Sequence, residues 1–445
     1  MSFIEELTWR GMIHDSMPGA EAELNKGVSS AYIGFDPTAD SLHIGSLVQI
    51  MTLVHFQRAG HKPIALVGGA TGMVGDPSGK SQERNLLSKD ALDANLKGVT
   101  QQLERFLDFD CGANSAEVVN NYDWFKDFTF LSFIRDVGKH ITINYMLAKD
   151  SVKSRMETGM SFTEFTYQLV QGYDFYWLYK NKNCKFQLGG SDQWGNIVAG
   201  TELIRKKDAG EAFAITTPLI QKADGTKFGK TEGGNIWLDP KKTSPYKFYQ
   251  YWINSSDIDA QKYIKIFTLL AKQEVESLID EHQQNPSFRI LQKELAKQVT
   301  ILVHGNDQFE SAKNASEILF QKGQSAIEGL KNMDADLFLE VFEGVPQAEI
   351  GADAIGTMTI IDALSSKSNF LKSNGEARRA LKENSISLNK EKVTEQKVVT
   401  NEDLITKLIK LPTNTIMNSL LLKNLSINKS ITSELFYGKN YSNDV

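Results

Sequence analysis

Short apolar runs with a glycine at or next to their end alternate with longer amphipathic stretches along the first half of this chain. The runs cover residues 31–35, 63–69 and 185–189, and the amphipathic stretches include residues 45–59 and 161–180. Runs of this length suit buried strands, while the stretches between them have the apolar spacing of helices. The alternation therefore predicts an α/β fold with a Rossmann-like parallel sheet and crossover helices.

Polar residues follow the ends of these predicted strands. In open parallel sheets, ligands bind beyond the carboxyl ends of the strands. The stretch 32–43, Asp76 and Asp192 all fall at such ends. We therefore expect one site to collect them.

Two short motifs, about 180 residues apart, carry the chemistry. Residues 43–46 (HIGS) open a predicted helix, where free backbone N–H groups and the helix dipole favour an anion and Gly45 lets a nucleotide approach the backbone. Residues 227–231 (KFGKT) place two lysines in a glycine-rich loop suited to a triphosphate whose charge shifts during displacement. Taken singly, each motif is more often a capping residue or a solvated loop. Their order and company indicate an ATP site.

A polar stripe runs along the predicted helix at residues 161–180. Tyr167, Gln171 and Asp174 are spaced four and three apart, so they share one helical face among apolar neighbours. If that face is buried, it requires hydrogen-bond partners, which a bound amino acid would supply. The residues alone equally allow a half-exposed amphipathic helix.

Four blocks of sequence resemble one enzyme family. The motifs at 43–46 and 227–231 resemble the HIGH and KMSKS signatures of class I aminoacyl-tRNA synthetases. Residues 32–45, 68–72, 189–196 and 222–231 are similar to bacterial tyrosyl-tRNA synthetases, and the resemblance extends to about residue 400. It implies activation of tyrosine by ATP to tyrosyl-adenylate and pyrophosphate, followed by transfer to the terminal adenosine of tRNA(Tyr).

The resemblance also implies roles for individual residues. Tyr32 and Asp174 would bind the substrate phenol, Tyr167 and Gln171 its ammonium group with help from Asp76, and Gln193 would lie near its carboxylate. The implied ATP and adenylate set is Gly34, Asp36, Thr38, His43, Gly45, Ser46, Gly190, Asp192 and Lys230, with Asp192 on the ribose hydroxyls.

The catalytic residues that the resemblance implies would contact the phosphates of ATP. His43, Lys227 and Lys230 would meet them, Thr231 would support the loop, and Lys80 with Arg84 would contact pyrophosphate. Mg²⁺ is expected as a counterion that arrives with ATP, and no prosthetic group or bound metal site of the protein's own is expected. Two departures from the family pattern, Ser46 for its second histidine and Ile33 for a ribose-contacting cysteine, imply somewhat weaker stabilisation.

Length and charge suggest how the chain is divided. A chain of 445 residues is too long for one core. We expect a catalytic domain at 1–245, a helical domain at 246–325, a linker at 326–355 and a small domain at 356–445. Residues 373–389 resemble an RNA-binding domain shared with a ribosomal small-subunit protein, but the match fails over 411–445. The last domain has 13 Lys and Arg against 9 Asp and Glu in a chain of net charge −6, which suggests a local RNA contact.

The remaining expectations concern location and assembly. The chain has two cysteines, no apolar run near the ~20 residues of a membrane span, and an acidic N-terminus unlike a signal peptide, so we expect a cytoplasmic protein. The resemblance implies a homodimer, with residues 120–165 near the interface. The apolar side chains there are equally compatible with an ordinary core.

Four alternatives compete with this interpretation. A tryptophanyl-tRNA synthetase shares the fold but does not explain the pair Tyr32 and Asp174. A P-loop NTPase would need glycine five positions before Gly79, where Val74 stands, and residues 68–72 lack the GxGxxG spacing of a Rossmann dehydrogenase. A synthetase-derived RNA-binding protein without catalytic activity is disfavoured by the presence of both lysines, His43 and Asp192.

Overall fold

The computed structural model describes the following residues of the chain: 1–78, 87–149, 152–153, 156, 159–231, 234–318, 328–329, 332–333, 335–341, 348, 350, 352–389, 391–403, 406–410, 416–419 and 422–424. It divides into two compact units. One unit comprises Met1–Ser244 with Tyr251–His304, and the other comprises Pro245–Gln250 with Gly305–Val445.

A six-stranded sheet forms the centre of the first unit, in the order β1-β6-β5-β2-β3-β4. Its strands are β1 Asp15–Ser16, β2 Ser30–Phe35, β3 Lys62–Val67, β4 Glu117–Asn120, β5 Cys184–Gly190 and β6 Phe213–Thr217. All neighbouring strands are parallel except β1, which pairs with β6 antiparallel. The apolar side chains of β3 and β5 are buried, as expected for a parallel sheet covered on both faces.

Helices surround this sheet in the same unit. They are α1 Phe3–Trp9, α2 Ala20–Leu24, α3 Ile44–Arg58, α4 Thr71–Val74, α5 Lys89–Leu103, α6 Tyr122–Phe125, α7 Phe130–Asp136, α8 Ile143–Leu147, α9 Phe162–Lys182 and α10 Trp194–Asp208. The predicted helices at 45–59 and 161–180 correspond to α3 and α9. Strands β4 and β6 were not predicted from the sequence.

Local chemistry fixes the ends of the two helices that carry predicted site residues. Helix α3 starts at His43, whose Nδ1 accepts the backbone N–H of Gly45 at 3.0 Å. Helix α9 starts at Ser161, whose hydroxyl accepts the N–H of Glu164, and it ends at Asn183 with φ of 49°. Both helices have the usual side-chain acceptor at the first turn, and α9 also has the usual left-handed residue after its last turn.

A helical stretch follows the sheet in the sequence. Its helices are α11 Pro245–Ile253, α12 Asp257–Phe267, α13 Lys272–Gln284, α14 Ile290–His304 and α15 Asn306–Ile318. Further along lie α16 Ala335–Val341, α17 Ile360–Leu364 and α18 Asn374–Lys382. None of the helices in the described part of the chain has the length and apolar character of a membrane span.

The remaining strands are short. They are β7 Lys230–Thr231, β8 Gly234–Asn235, β9 Ile386–Leu388, β10 Glu391–Lys392, β11 Thr406–Lys410, β12 Ile416–Ser419 and β13 Leu422–Asn424. Strand β9 pairs with β10 and with β13, and its Ile386 shares a buried core with Leu364 and Ala377 of α17 and α18. Most of residues 411–445, where the family resemblance fails, lie outside the described residues.

Candidate active site

Several predicted site residues lie at the point in the sheet where the strand order reverses. From β2 the chain crosses to β3 on one side, and from β5 it crosses to β6 on the other, while β2 and β5 are neighbours. This is the topological switch point, where open α/β sheets bind ligands. Gly34 is exposed at the end of β2, and Gly190 ends β5. A Cβ at position 190 would lie 2.5 Å from Asp192 Oδ1, so only glycine fits there without displacing that carboxylate.

A buried carboxylate lies on the inner face of α9. Asp174 is 1% exposed, and its two oxygens accept hydrogen bonds from Asn121 Nδ2 at 3.0 Å and Trp124 Nε1 at 2.9 Å. Burial raises the pKa of Asp174 to about 8, although both donors act in the opposite direction. The ring of Trp124 stacks on Trp177 at 4.2 Å, which holds its indole N–H towards the carboxylate.

The Tyr32 hydroxyl lies unpaired in the same buried region. Tyr32 is 1% exposed, and its hydroxyl has no hydrogen-bond partner within the described residues. Burial raises its pKa, and the negative charge of Asp174 raises it further. A buried hydroxyl without a partner costs free energy, which a hydrogen-bonding ligand would recover. Tyr32 and Asp174 therefore form a place for one polar group in apolar surroundings.

A second carboxylate organises the middle of the site. Asp36, just after β2, accepts hydrogen bonds from the Tyr167 hydroxyl at 3.0 Å and from Thr71 Oγ1 at 2.7 Å. Burial raises the pKa of Tyr167 well above its usual value, and the charges of Asp36 and Asp76 raise it further. Tyr167 therefore stays a neutral donor. The polar stripe of α9 is buried, so the half-exposed alternative for Tyr167, Gln171 and Asp174 is wrong.

A third carboxylate connects the two predicted ends of the amino-acid site. Asp76 accepts from Gln193 Nε2 at 2.7 Å, from the backbone N–H of Ser78 at 2.9 Å and from Asn196 Nδ2 at 3.4 Å. Gln193 also lies 3.5 Å from Asp192 Oδ2. Gln171 is buried on α9, and its Oε1 has no partner among the described residues. The region thus presents carboxylates and an unpaired amide oxygen, all acceptors suited to a cationic group.

The two signature motifs meet in the structure. The backbone N–H of Ile44 donates to Ile236 O, and the N–H of Ile236 donates to Gly229 O, both at 3.0 Å. Gly229 has φ of 81°, and a Cβ there would lie 3.5 Å from the backbone nitrogen of Gly45. The lysine motif therefore packs directly on the first turn of α3. The His43 ring lies edge-on to Trp237 at 6.0 Å.

Some of the remaining residues predicted to contact phosphate and ribose belong to the described part of the chain. The side chains of Lys227, Lys230 and Thr38 are exposed, and the backbone N–H of Ser46 donates to His43 O at 2.8 Å. The backbone of Thr231 pairs with Gly234, while its side chain lies outside the described residues, as do Lys80 and Arg84.

Sequence reasoning did not identify the two donors on Asp174. Asn121 and Trp124 follow β4, and both belong to the stretch 120–165 that was assigned to a subunit interface. Because β4 was not predicted, nothing in the sequence pattern placed them at the carboxyl edge of the sheet. An asparagine and a tryptophan just after an apolar pair, Val118-Val119, are the signal that could have located them.

The chain is similar to known proteins in sequence and in structure. A family model for class I tRNA synthetases (W and Y) matches residues 24–321, more than half of the chain. The tyrosine–tRNA ligase of Flavobacterium johnsoniae is 62% identical over 411 residues, which cover 91% of this chain and 95% of that protein. The tyrosine–tRNA ligase of Porphyromonas gingivalis is 58% identical over 409 residues, with the same coverage of 91% and 95%.

The chain belongs to the tyrosine–tRNA ligase family. A solved structure is also similar to it: the C-terminally truncated mitochondrial tyrosyl-tRNA synthetase of Aspergillus nidulans, with a TM-score of 0.64 and 32% identity, covering 72% of this chain and 94% of that one. The family membership expected from the motifs is confirmed, and so is the α/β fold expected from the alternation of apolar runs and amphipathic stretches.

Proposed function

We propose that the chain is a tyrosine–tRNA ligase that activates tyrosine with ATP and transfers it to tRNA(Tyr). The observation that carries this proposal is the unpaired, buried Tyr32 hydroxyl beside the buried Asp174 carboxylate. A tyrosine phenol can donate to Asp174 and accept from Tyr32, so it satisfies both groups at once. Phenylalanine would leave both unpaired, and an indole N–H could not accept from Tyr32. The names of the cited relatives also favour tyrosine over tryptophan.

The rest of the amino acid would extend along the carboxyl edge of the sheet. Its ammonium group fits the acceptors of Tyr167, Gln171 and Asp76, and Gln193 lies beside its carboxylate. Asp36, Gly34 and Gly190 would border the adenylate, with Asp192 on the ribose hydroxyls. Gly34 and Gly190 provide close approach to the backbone of β2 and β5. Thr38 would complete the edge of this ATP-binding surface, and Ser46 would stand where the family's second histidine contacts the nucleotide.

The activation reaction requires positioning of the reactants and stabilisation of negative charge, and no general acid or base. The tyrosine carboxylate is already a nucleophile, so the protein has to hold it in line with the α-phosphorus of ATP. His43, Lys227 and Lys230 would stabilise the charge that spreads onto pyrophosphate, with Thr231, Lys80 and Arg84 as further members of the set. We expect Mg²⁺ to arrive bound to the phosphate oxygens of ATP, since it prefers such ligands to an all-protein cage. A ribose hydroxyl of the tRNA then attacks the adenylate carbonyl, releasing AMP.

ATP–pyrophosphate exchange tests the proposed reaction directly. We expect exchange that depends on tyrosine, with tryptophan and phenylalanine supporting far lower rates at equal concentration. Exchange driven best by tryptophan would replace the tyrosine assignment with the tryptophanyl alternative. No exchange with any of the three, from a protein that still binds tRNA, would favour the non-catalytic RNA-binding alternative.

The small domain at residues 356–445 is the proposed RNA contact. Arg378, Arg379 and Lys382 are exposed on α18, whose Ala377 and Leu381 face the local core. A separate core of this kind supports an independent domain after the helical segment 246–325 and the linker 326–355. The exposed basic face would contact RNA phosphates.

Reversing charge on that face should separate the two steps of the reaction. We expect Arg378→Glu combined with Arg379→Glu to leave tyrosine-dependent exchange unchanged and to weaken tRNA charging, with a larger loss at low salt because phosphate contacts are screened by ions. Lys367→Glu combined with Lys372→Glu, in the same domain but outside α18, is the control for net charge. Unchanged kcat/KM for tRNA at fixed salt would remove α18 from the RNA interface.

Assembly and location complete the proposal. Leu131 is 77% exposed and Ile143 65%, and Phe130 and Phe162 are also largely exposed, so the stretch 120–165 carries several large apolar side chains on its surface. A surface of this kind suits burial against a second copy, and we propose a homodimer. Sedimentation equilibrium should give twice the 49.7 kDa chain mass, and a concentration-independent monomer mass would refute it. The free thiols of Cys111 and Cys184 support a cytoplasmic location.

A further inference from the structure

The loop that carries the two motif lysines is attached to the last turn of α11, at Tyr251 and Trp252, and to α12, all within the first unit. We call residues 221–231 the lysine loop. Its tip is a tight turn in which Asp224 Oδ1 accepts the backbone N–H of Thr226 at 2.9 Å, and Gly225 has φ of 79°. Near this turn the backbone N–H of Ala223 donates to Asp259 Oδ1 on α12 at 2.9 Å. The first attachment is therefore to the start of α12.

The second attachment is an aromatic cluster around Phe228. The Phe228 ring stacks on Phe267 with a centroid distance of 5.2 Å and an interplanar angle of 11°. It also meets Tyr263 at 5.1 Å, Trp252 at 6.0 Å and Tyr251 at 6.1 Å. Aromatic pairs at these distances stabilise one ring orientation beyond simple burial. The residue between Lys227 and Gly229 is thus held by α11 and α12.

The third attachment holds the backbone of Gly229. Its N–H donates to the Tyr251 hydroxyl at 3.3 Å, and its carbonyl accepts the N–H of Ile236 at 3.0 Å. A Cβ at position 229 would lie 3.1 Å from Ile44 Cγ1, so the chain already fits closely against α3. Gly229 is therefore fixed from three directions.

Because of these attachments, the two motif lysines lie on either side of a firmly held backbone segment, Phe228 and Gly229. Lys227 precedes Phe228 and Lys230 follows Gly229, and both side chains are exposed. Because the ammonium group of a lysine lies at the end of four methylene groups, the backbone position sets the region that it can reach. Loosening Phe228 or Gly229 would enlarge that region and lower the fraction of time that both ammonium groups spend at the phosphates.

We propose that Tyr251 and Phe228 are positioning residues for tyrosine activation: the Tyr251 hydroxyl and the aromatic cluster hold the lysine loop so that Lys227 and Lys230 reach the triphosphate together. This rests on the proposed function, because it assigns the loop lysines to ATP. Neither residue contacts the reacting atoms. Their effect is on the rate of activation and not on the binding of tyrosine, whose site lies on α9.

Substitutions at Tyr251 and Phe228 test the proposal, and proteolysis of the lysine loop measures how firmly the loop is held. Tyr251→Phe keeps the ring and deletes the hydroxyl that accepts from Gly229. Trypsin cleavage after Lys227 and Lys230, mapped by mass spectrometry, reports how often the loop leaves its position. We expect cleavage there to become about two- to tenfold faster, the effect of losing one neutral hydrogen bond. The single-turnover rate of adenylate formation should fall by a similar factor, with the KM for tyrosine unchanged.

Phe228→Ala should produce larger changes in both measurements, and Phe228→Met smaller ones, since methionine also packs well against aromatic rings. The control is Tyr176→Phe, which deletes a hydroxyl that donates to Asp208 at 3.5 Å, away from the lysine loop. It should change neither the cleavage nor the activation rate.

Several results would overturn the proposal. Unchanged cleavage in Tyr251→Phe and Phe228→Ala would show that these contacts do not hold the loop. Faster cleavage with an unchanged activation rate would show that they hold it without positioning the lysines. A rise in the KM for tyrosine with an unchanged activation rate would move the effect to the amino-acid site. If the unsubstituted protein shows no tyrosine-dependent exchange, the proposed function fails instead, and the cleavage rates still decide whether the loop is held.

Discussion

Asp174→Asn should reduce tyrosine-dependent pyrophosphate exchange by more than about 100-fold, although asparagine has nearly the same shape. Both carboxylate oxygens of Asp174 already accept N–H groups, from Asn121 and from Trp124. An asparagine amide would have to point its own N–H₂ at one of these donors, so that one buried donor loses its acceptor and the other groups shift. Each such loss costs about 1–3 kcal/mol, before the lost acceptor for the phenol is counted.

Asp174→Ala should abolish activation entirely, since it removes the acceptor and leaves the Asn121 and Trp124 donors unpaired. The control for misfolding is the near-ultraviolet circular dichroism of each variant together with its melting temperature. A folded Asp174→Asn protein that exchanges within tenfold of the original rate would show that Asp174 does not bind the phenol.

Tyr32→Phe is the milder test of the same pair. It deletes one hydroxyl that has no partner in the described part of the chain, so the empty fold should not lose stability. The bound tyrosine should lose one neutral hydrogen bond, roughly 0.5–1.5 kcal/mol, and the preference for tyrosine over phenylalanine should fall about tenfold. An unchanged ratio of the two specificity constants would leave Asp174 as the reader of the phenol and would exclude Tyr32.

Local patterns were enough to predict three strands of the parallel sheet, β2, β3 and β5, and two of the helices that flank it, α3 and α9. Apolar runs with a glycine at or next to their end located β2, β3 and β5, because a strand buried on both faces has little polar content. Strand β4 escaped notice, since Glu117–Asn120 is half-buried, short and polar at both ends. Because β4 was not predicted, Asn121 and Trp124 were not predicted as partners of Asp174 either, since it is this strand that brings them next to it.

The contacts between distant parts of the chain could not be predicted from local patterns. Lys227 and Lys230 were assigned to the ATP site by motif, but nothing in their spacing shows that Gly229 packs on Gly45 or that Phe228 enters an aromatic cluster. Gly45 lies on α3, more than 180 residues before the loop. The aromatic cluster comes from helices about 20–40 residues after it, whose apolar positions have no local reason to meet the loop. The same limit applies to Asp36, whose pairing with Tyr167 joins β2 to α9.

Lys230→Ala should remove about 3 kcal/mol of transition-state stabilisation from tyrosyl-adenylate formation. The rate of that step should therefore fall by a factor of more than about 100. Lys230 is exposed beside the first turn of α3, so its ammonium group can follow the phosphates as negative charge builds up on the departing pyrophosphate. An interaction that strengthens only as that charge develops changes the rate and leaves ground-state binding nearly untouched. Pre-steady-state measurement of adenylate formation should therefore show a large loss of rate with little change in the dissociation constant of tyrosine.

Lys241→Ala is the matched control for Lys230→Ala, because it removes one exposed positive charge that lies outside the motif. If charge near the site mattered only as a diffuse attraction for ATP, the two variants would lose activity to a similar extent, and added salt would reduce both losses. A specific phosphate contact predicts that Lys241→Ala keeps the original rate and that salt does not restore Lys230→Ala. Equal losses in the two variants, or an unchanged activation rate in Lys230→Ala, would remove Lys230 from the mechanism. His43, Lys227, Lys80 and Arg84 would then be the proposed phosphate contacts left to test.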